Sequence, residues 1–258
     1  MSKSIIFYDF DGVATACRCW NPNTWKARYV LNIKGLPYTT TWLEYPEVEP
    51  VLKKINAIPS AKKADGSDLY TLPAIYDPNT GVALTDSEKI AEYLEKQYPT
   101  PGTPAFFPPG TRALQQGFRD AFAARVRGNV LKLSMQPIVD SLTPGSVDYF
   151  CRTRAAALGS PLDKIAPPGS EAHANFVKAA LDGLNMISLW YELNETKGLY
   201  IMGDKPCFAD VDIAATFNWV RIVGGKREGD VWNAIEKADG GRWGKLLDAF
   251  NEKWSAVH

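Results

Sequence analysis

The 258-residue chain has no excess of either charge, with Lys and Arg totalling 29 and Asp and Glu also 29. Without a net field, bulk electrostatics recruits neither nucleic acid nor an anionic membrane surface. No apolar run approaches the ~18 residues that a membrane-spanning helix needs. Histidine is scarce: His173 and His258 alone leave little material for a metal centre or a His-based triad. The four cysteines, Cys17, Cys19, Cys151 and Cys207, are too few for a disulfide scaffold and form no CxxC pair. Cys17-x-Cys19 has no further soft ligand nearby to complete a metal site. The first residues enter a strand pattern directly, with no secretory signal of the usual kind. Together these features predict a reducing, cytoplasmic setting.

What remains is a globular composition, 45% hydrophobic and 22% charged, long enough for one large or two smaller cored domains. Residues 4–10 read as an apolar strand. Asn21-Pro22-Asn23-Thr24 then opens a helical pattern through Trp25, Tyr29, Val30 and Ile33, stopped by Gly35 and Pro37. Tyr38–Leu43, rich in Thr and aromatics, reads as a strand, so this unit implies a parallel pair with a right-handed crossover. Residues 46–69 are polar and irregular, with a helix expected around Val51–Asn56.

The most informative stretch follows. Leu72–Tyr76 is a short apolar run, residues 77–81 are dense in turn chemistry, and Val82–Leu84 is a second run. Thr85-Asp86-Ser87-Glu88 then opens a helix, with Thr85 and Glu88 spaced as a capping box. Ile90, Ala91, Leu94 and Tyr98 mark its apolar face. Pro73 cannot donate a ladder hydrogen bond, so the N–H and C=O of Leu72 are free to pair with an extended ligand. Asp86 and Ser87 sit where unpaired helix N–H groups collect and an anion is welcome. An edge strand followed by an ordinary capped helix explains the same residues without any ligand.

This segment resembles the glutathione-binding half of the thioredoxin-like domain of glutathione transferases. The string Trp20 to Tyr38, WNPNTWKARYVLNIKGLPY, is similar to that of the fungal-specific class A members, relatives of bacterial β-aryl-etherases. There the pattern is typically W-S-P-N-T-W-K, so Asn21 stands where a serine is usual. The resemblance implies a cis bond before Pro73 and a cysteinyl contact at Leu72 and Pro73. It also implies that Asp86 and Ser87 hold the γ-glutamyl end, and that position 21 faces the sulfur.

Asn-Pro is also a good helix opening in its own right, Asn capping and Pro at the first helical position. The two roles coexist if the amide N–H₂ points at the ligand. A hydrogen bond to a charged partner contributes about 1.5–3 kcal/mol, which lowers a thiol pKa by about one to two units. Asn cannot accept a proton as an ionised group can, and no mixed disulfide is expected at a position without Cys. The glycyl carboxylate needs a cation, for which Lys62 and Lys63 are the candidates. Phe10, Phe118 and Phe122 are candidate walls of a hydrophobic electrophile site, though each also fits a plain core position.

Residues 99–110 are dense in proline, with Gly102 and Gly110, and read as a linker. Beyond it the period is helical through Arg112–Leu133, Glu171–Asn194, Asp210–Val223 and Trp243–Trp254, while residues 136–169 are rich in Pro and Gly. Gly203 to Asp210 resembles the family's G-D-x-x-S/T-x-A-D stretch, a capping box opening a core helix, with Cys207 in place of Ser or Thr. The expected fold is an α/β thioredoxin-like βαβ-ββα domain over residues 1–98, then the linker, then an all-α domain over 111–258. The expected function is glutathione conjugation of aromatic or other hydrophobic electrophiles by a homodimer that needs no metal. A rival reading keeps the fold but drops turnover, leaving a ligandin for glutathione and aromatics.

A second resemblance competes at the N-terminus. Ser4 to Thr15, SIIFYDFDGVAT, looks like the first motif of haloacid-dehalogenase-type phosphatases, with Asp9 as nucleophile, Asp11 as acid/base and Mg²⁺ held by carboxylates. That fold requires strands and helices alternating through most of the chain. Residues 111–258 offer mostly helix.

Overall fold

The computed structural model describes residues 3–13, 18–195, 198–224 and 231–258. Cys17, and with it the Cys17-x-Cys19 pairing, and Thr15 lie outside the described residues.

A four-stranded sheet forms the first half, its strands lying in the order Tyr38–Leu43, Ile5–Phe10, Ala74–Asp77 and Val82–Thr85. Strand β1 (Ile5–Phe10) pairs in parallel with β2 (Tyr38–Leu43) across the helix α1 (Pro22–Ile33), the crossover that the apolar-turn-helix pattern predicts. Strands β5 (Ala74–Asp77) and β6 (Val82–Thr85) complete it as an antiparallel hairpin on the other side of β1. Helix α3 (Ser87–Gln97) follows β6 directly, and Ile90, Ala91 and Leu94 bury its inner face. The polar stretch before β5 holds helix α2 (Val48–Lys54) and a small hairpin, β3 (Ala61–Lys62) with β4 (Asp68–Leu69), that sequence reasoning missed.

Helical structure then takes over. Helix α4 (Arg112–Phe122) runs through a π-helical turn at Ala123–Arg127 into α5 (Gly128–Leu133). The long helix α9 (Glu171–Tyr191) crosses that turn at Gly183, where an added Cβ would lie 2.7 Å from the Arg125 carbonyl oxygen. Residues 136–169, which carry no clear period, contain α6 (Met135–Val139), α7 (Pro144–Leu158) and α8 (Leu162–Ile165). Helix α10 (Phe208–Gly224) is the centre of this half, buried on nearly every side, with α11 (Val231–Ile235) and α12 (Ala238–Trp254) packed behind it.

The halves join through α10, which packs along α1. The linker contributes Phe106, fully buried, whose carbonyl accepts from Phe208 N–H at 3.0 Å and from Gln115 Nε2 at 2.9 Å. A second junction forms where Tyr45 stacks on Phe10 (4.2 Å between centroids) and meets Tyr149 and Phe150 of α7. Residues 256–258 run along the outer edge of β2, where Thr40 N–H donates to the His258 carbonyl at 2.8 Å.

Candidate functional site

Strand register gathers the candidate residues at one end of the sheet. Ala74 pairs with Tyr8 on one side and Thr85 on the other, so the C-terminal ends of β1 and β6 and the start of β5 coincide. The chain before Ala74 is Leu72–Pro73, joined by a cis peptide bond. The loop leaving β1 leads to the N-terminus of α1, and β6 leads straight into the N-terminus of α3. Two helix mouths therefore flank one proline-blocked strand end, and α1 packs against α3. Ligands of open α/β sheets gather at such strand ends.

Each group at this end has hydrogen-bonding capacity that the fold leaves unfilled. Leu72 is buried, yet its N–H and C=O make no hydrogen bond among the described residues. Asn21, 8% exposed, caps α1: its Oδ1 accepts from Asn23 N–H at 2.9 Å and, more weakly, from Thr24 N–H at 3.4 Å. Its Nδ2 has no partner among the described residues. Pro22 fills the first helical position, so the cap reading of Asn-Pro stands. At α3 the N-cap is Asp86 rather than Thr85: Asp86 Oδ1 accepts from Glu88 N–H at 2.9 Å and Lys89 N–H at 3.1 Å. Thr85 instead ends β6 and donates its hydroxyl to the Ile58 carbonyl at 2.8 Å, because strand pairing holds it in the sheet. Asp86 adopts φ 76° and ψ 121°, a positive-φ conformation uncommon for any residue but glycine. Ser87, 8% exposed, offers an Oγ with no partner among the described residues.

The other candidates are placed differently. Lys62 pairs with Asp68 at 2.6 Å across the β3–β4 hairpin, and Lys63 pairs with Glu49 at 3.1 Å, all four side chains being well exposed. Phe118 meets Trp190 and Tyr191 of α9, and Phe122 is fully buried against Phe217 of α10, so both rings pack within the helical half. Phe10, at the site end of β1, lies between Trp20 and Tyr45.

The phosphatase-like carboxylates are engaged elsewhere. Asp9 is buried in a pair with Arg28 (2.7 Å), whose guanidinium is boxed by Phe7, Trp25, Tyr38 and Trp42. Asp11 is bound to Arg18 and to the Gly12 N–H. No group of three or more His, Cys, Asp or Glu side chains suited to a metal occurs among the described residues. With the helical second half, this leaves the phosphatase reading without a fold or a site.

Sequence reasoning missed a buried charge cluster beside the α3 mouth. Asp212 of α10, fully buried, receives Lys26 Nζ at 2.9 Å, Arg119 Nε at 3.0 Å and Arg127 at 2.9 Å. Burial alone would push the Asp212 carboxyl up, but the three cations outweigh it and hold it far below the ordinary carboxylate range. Arg119 also donates to Glu88 at 2.7 Å, tying α4 to the first turn of α3. The signal was present in Asp210 and Asp212, two carboxylates at the start of an otherwise apolar helix. Such groups are rarely buried without partners.

At that same helix start, Asp210 accepts from Cys207 N–H at 2.9 Å and from its thiol at 3.3 Å. One arm of the expected capping box is therefore present: the carboxylate reaches back to the cap N–H. The thiol donates rather than accepts.

Comparison with known proteins agrees with this geometry. Residues 20–97 match the family description "Glutathione S-transferase, N-terminal domain", and residues 113–254 match "Glutathione S-transferase, C-terminal domain". The chain is 30% identical over 260 residues to the glutathione S-transferase-like protein ustS of Aspergillus flavus, covering 94% of this chain and 88% of that protein. A glutathione S-transferase of Ceriporiopsis subvermispora, CsGST63524, solved in complex with glutathione, superposes with a TM-score of 0.92 at 39% identity over 99% of both chains. Glutathione transferase GSTFuA3 of Phanerochaete chrysosporium gives 0.91 at 40% identity, with both chains covered in full.

Proposed function

Because the chain belongs to the glutathione transferase family, we propose that it binds glutathione extended along Leu72–Pro73 and transfers its sulfur to aromatic or other hydrophobic electrophiles. The observation that carries this reading is the set of unfilled hydrogen-bonding groups at one sheet end: Asn21 Nδ2, the Leu72 backbone and Ser87 Oγ. In this assignment the Leu72 N–H and C=O pair with the cysteinyl residue as an added strand does. Asp86 and Ser87, with the Ser87 N–H that the cap leaves free, take the γ-glutamyl end. The sulfur lies at the α1 mouth, where Asn21 Nδ2 donates to it and the helix dipole adds positive potential.

The chemistry then needs little from the protein. The thiol proton leaves to water, and the amide and the helix end hold the thiolate. Its electron pair forms the new S–C bond, while a displaced group departs with the pair of the bond it loses. Asn21 is the proposed catalytic residue, acting by stabilising charge rather than by accepting a proton.

Lys62 and Lys63 remain the proposed partners of the glycyl carboxylate. Exposed ion pairs contribute about 0–1 kcal/mol, so exchanging Asp68 or Glu49 for a ligand carboxylate costs little. Of the three aromatic candidates, Phe10 is the proposed wall for the electrophile, while Phe118 and Phe122 pack within the helical half. We also propose, on family membership, a cytoplasmic homodimer. Sedimentation and cell fractionation test those two points.

Calorimetry with glutathione, followed by steady-state rates with chlorodinitrobenzene and an isothiocyanate, tests the main reading. Saturable binding with turnover supports it. No uptake at millimolar glutathione removes the site assignment, and binding without turnover makes the protein a ligandin.

A further inference from the structure

The α3 mouth reads Asp86-Ser87-Glu88, so a carboxylate stands on either side of the serine. That is a poor place to receive the α-carboxylate of a glutamyl group, because each like charge held several ångströms away opposes it. Asp86 has an answer in the ligand, whose α-ammonium offers it a cation. Glu88 has none there. Its carboxylate is instead gripped from the helical half, Oε1 by Arg112 and Oε2 by Arg119, both at 2.7 Å.

The two arginines are not equivalent. Arg112 is 48% exposed and shared with Glu92, so solvent screens it. Arg119 is 12% exposed and stacks over the Phe208 ring at 4.7 Å. Its Nε is pinned by the buried Asp212 at 3.0 Å. One guanidinium thus joins a carboxylate at the helix mouth to a carboxylate in the core of α10, and both ends are fixed.

We propose that Arg119 is a positioning residue for glutathione: anchored on Asp212, it holds Glu88 in a neutralised pair and so makes the Asp86-Ser87-Glu88 mouth receptive to the glutamyl carboxylate. The proposal rests on the glutathione reading above. Asp212 stays compensated without Arg119, since Lys26 and Arg127 remain at 2.9 Å each, so an Arg119→Gln chain retains its buried charge balance.

The test is calorimetric binding of glutathione and of S-methylglutathione to the full chain and to Arg119→Gln, Arg112→Gln, Glu88→Gln and the double variant Glu88→Gln/Arg119→Gln. One unmasked charge several ångströms away, at intermediate dielectric, weakens binding roughly five- to tenfold. Arg119→Gln should show that loss for both ligands, with the pKa of the bound thiol unmoved. Arg112→Gln should lose about twofold or less, as expected of a screened partner. The double variant should return to within about twofold of the wild type, because removing the charge removes the need to mask it. A loss that persists in the double variant, or no loss in Arg119→Gln, overturns the proposal. Weaker binding in Glu88→Gln alone also overturns it, and decides the matter should Arg119→Gln not fold. A wild-type chain that binds neither ligand overturns the glutathione reading itself. A wild-type chain that binds both while Arg119→Gln is indifferent overturns only this inference.

Discussion

Asn21 carries the observed cap on one atom and the proposed sulfur contact on the other, and substitution can take them apart. Asn21→Ala removes both, the Oδ1 that caps Asn23 N–H (2.9 Å) and Thr24 N–H (3.4 Å), and the Nδ2 proposed to donate to the sulfur. Loss of the cap costs about 0.5–2 kcal/mol of stability. Loss of the donor withdraws about 1.5–3 kcal/mol of thiolate stabilisation, so the bound thiol pKa should rise by about one to two units. Asn21→Asp keeps the cap but exchanges the donor for a negative charge, so it should melt like the wild type while its thiol pKa rises further. Asn21→Ser keeps a cap and restores a hydroxyl donor. The assay is a spectroscopic titration of the bound thiolate, paired with chlorodinitrobenzene rates across pH and a thermal melt. Rates of Asn21→Ala should fall about ten- to a hundredfold below the wild-type thiol pKa. They should converge with the wild type as rising pH ionises the thiol regardless. Rates that are unchanged while glutathione still binds would show that Asn21 is a cap and nothing else. A loss that stays constant with pH would show that the residue acts on something other than thiol ionisation.

Three further outcomes follow from the packing and the buried charges. Cys207→Ser should raise stability by about 0.5–1 kcal/mol, since a hydroxyl donates to Asp210 more strongly than the thiol does at 3.3 Å and can also accept from the helix N–H groups, and a melt unchanged or lowered would refute a cap there. Gly183→Ala should lower stability by about 1–3 kcal/mol, because its Cβ would meet the Arg125 backbone of the π turn at 2.7 Å, and an unchanged melt would deny that close approach. Burial lifts the Asp210 carboxyl to about 6 against the hydrogen bonds that favour its charge, so ionising it in the folded state is uphill. Its contribution is therefore fully present below the unfolded carboxyl pKa of about 4 and is lost as pH rises towards 6. Asp212 has the opposite sign, its contribution being present above about 4 and lost as pH falls below it. Asp210→Asn should flatten the melting-temperature slope between pH 4 and 6, and an unaltered slope there would refute the assignment.

Legibility of the fold followed burial. Tyr38–Leu43 and the β5–β6 hairpin were readable because apolar runs bounded by turn residues have few alternatives. Helix α7 was not, because it buries little beyond Ser146 and Phe150 and so shows no apolar stripe. Its place is set by Tyr45, whose ring meets Tyr149 and Phe150 and whose N–H donates to Ser146 Oγ at 3.1 Å. The β3–β4 hairpin was invisible for a related reason: its two-residue strands are too short for a period. Its short ladder is held by backbone bonds such as Ser60 N–H to the Leu69 carbonyl (2.9 Å), and side-chain bonding of Ser60 to Thr71 and Thr85 ties its base to the main sheet. In the site, the cis bond before Pro73 came with the family resemblance, and the cap of α3 falls on Asp86, one residue past the Thr85 that the spacing suggested. The strand end at Pro73 and a capped α3 start were legible from local chemistry. The Asp212 cluster was not, since its four cationic and anionic members come from α1, α4, the π turn and α10, which only the tertiary fold brings together.

Capping and the proposed sulfur activation first look like rival explanations of Asn21, yet the cap geometry is what would make the second role available. An asparagine amide is a donor on one side and an acceptor on the other. Two helix N–H groups demand the acceptor, so Oδ1 must turn inward, and a flipped amide would set N–H against N–H. The donor is thereby turned away from the helix and left without a partner among the described residues. A serine at the same position has a single oxygen that must accept from the helix and donate to sulfur at once, with a hydroxyl free to rotate. Asparagine divides those tasks between two atoms in one rigid plane. It is a fixed donor, which suits it to hold a thiolate and disqualifies it from taking a proton.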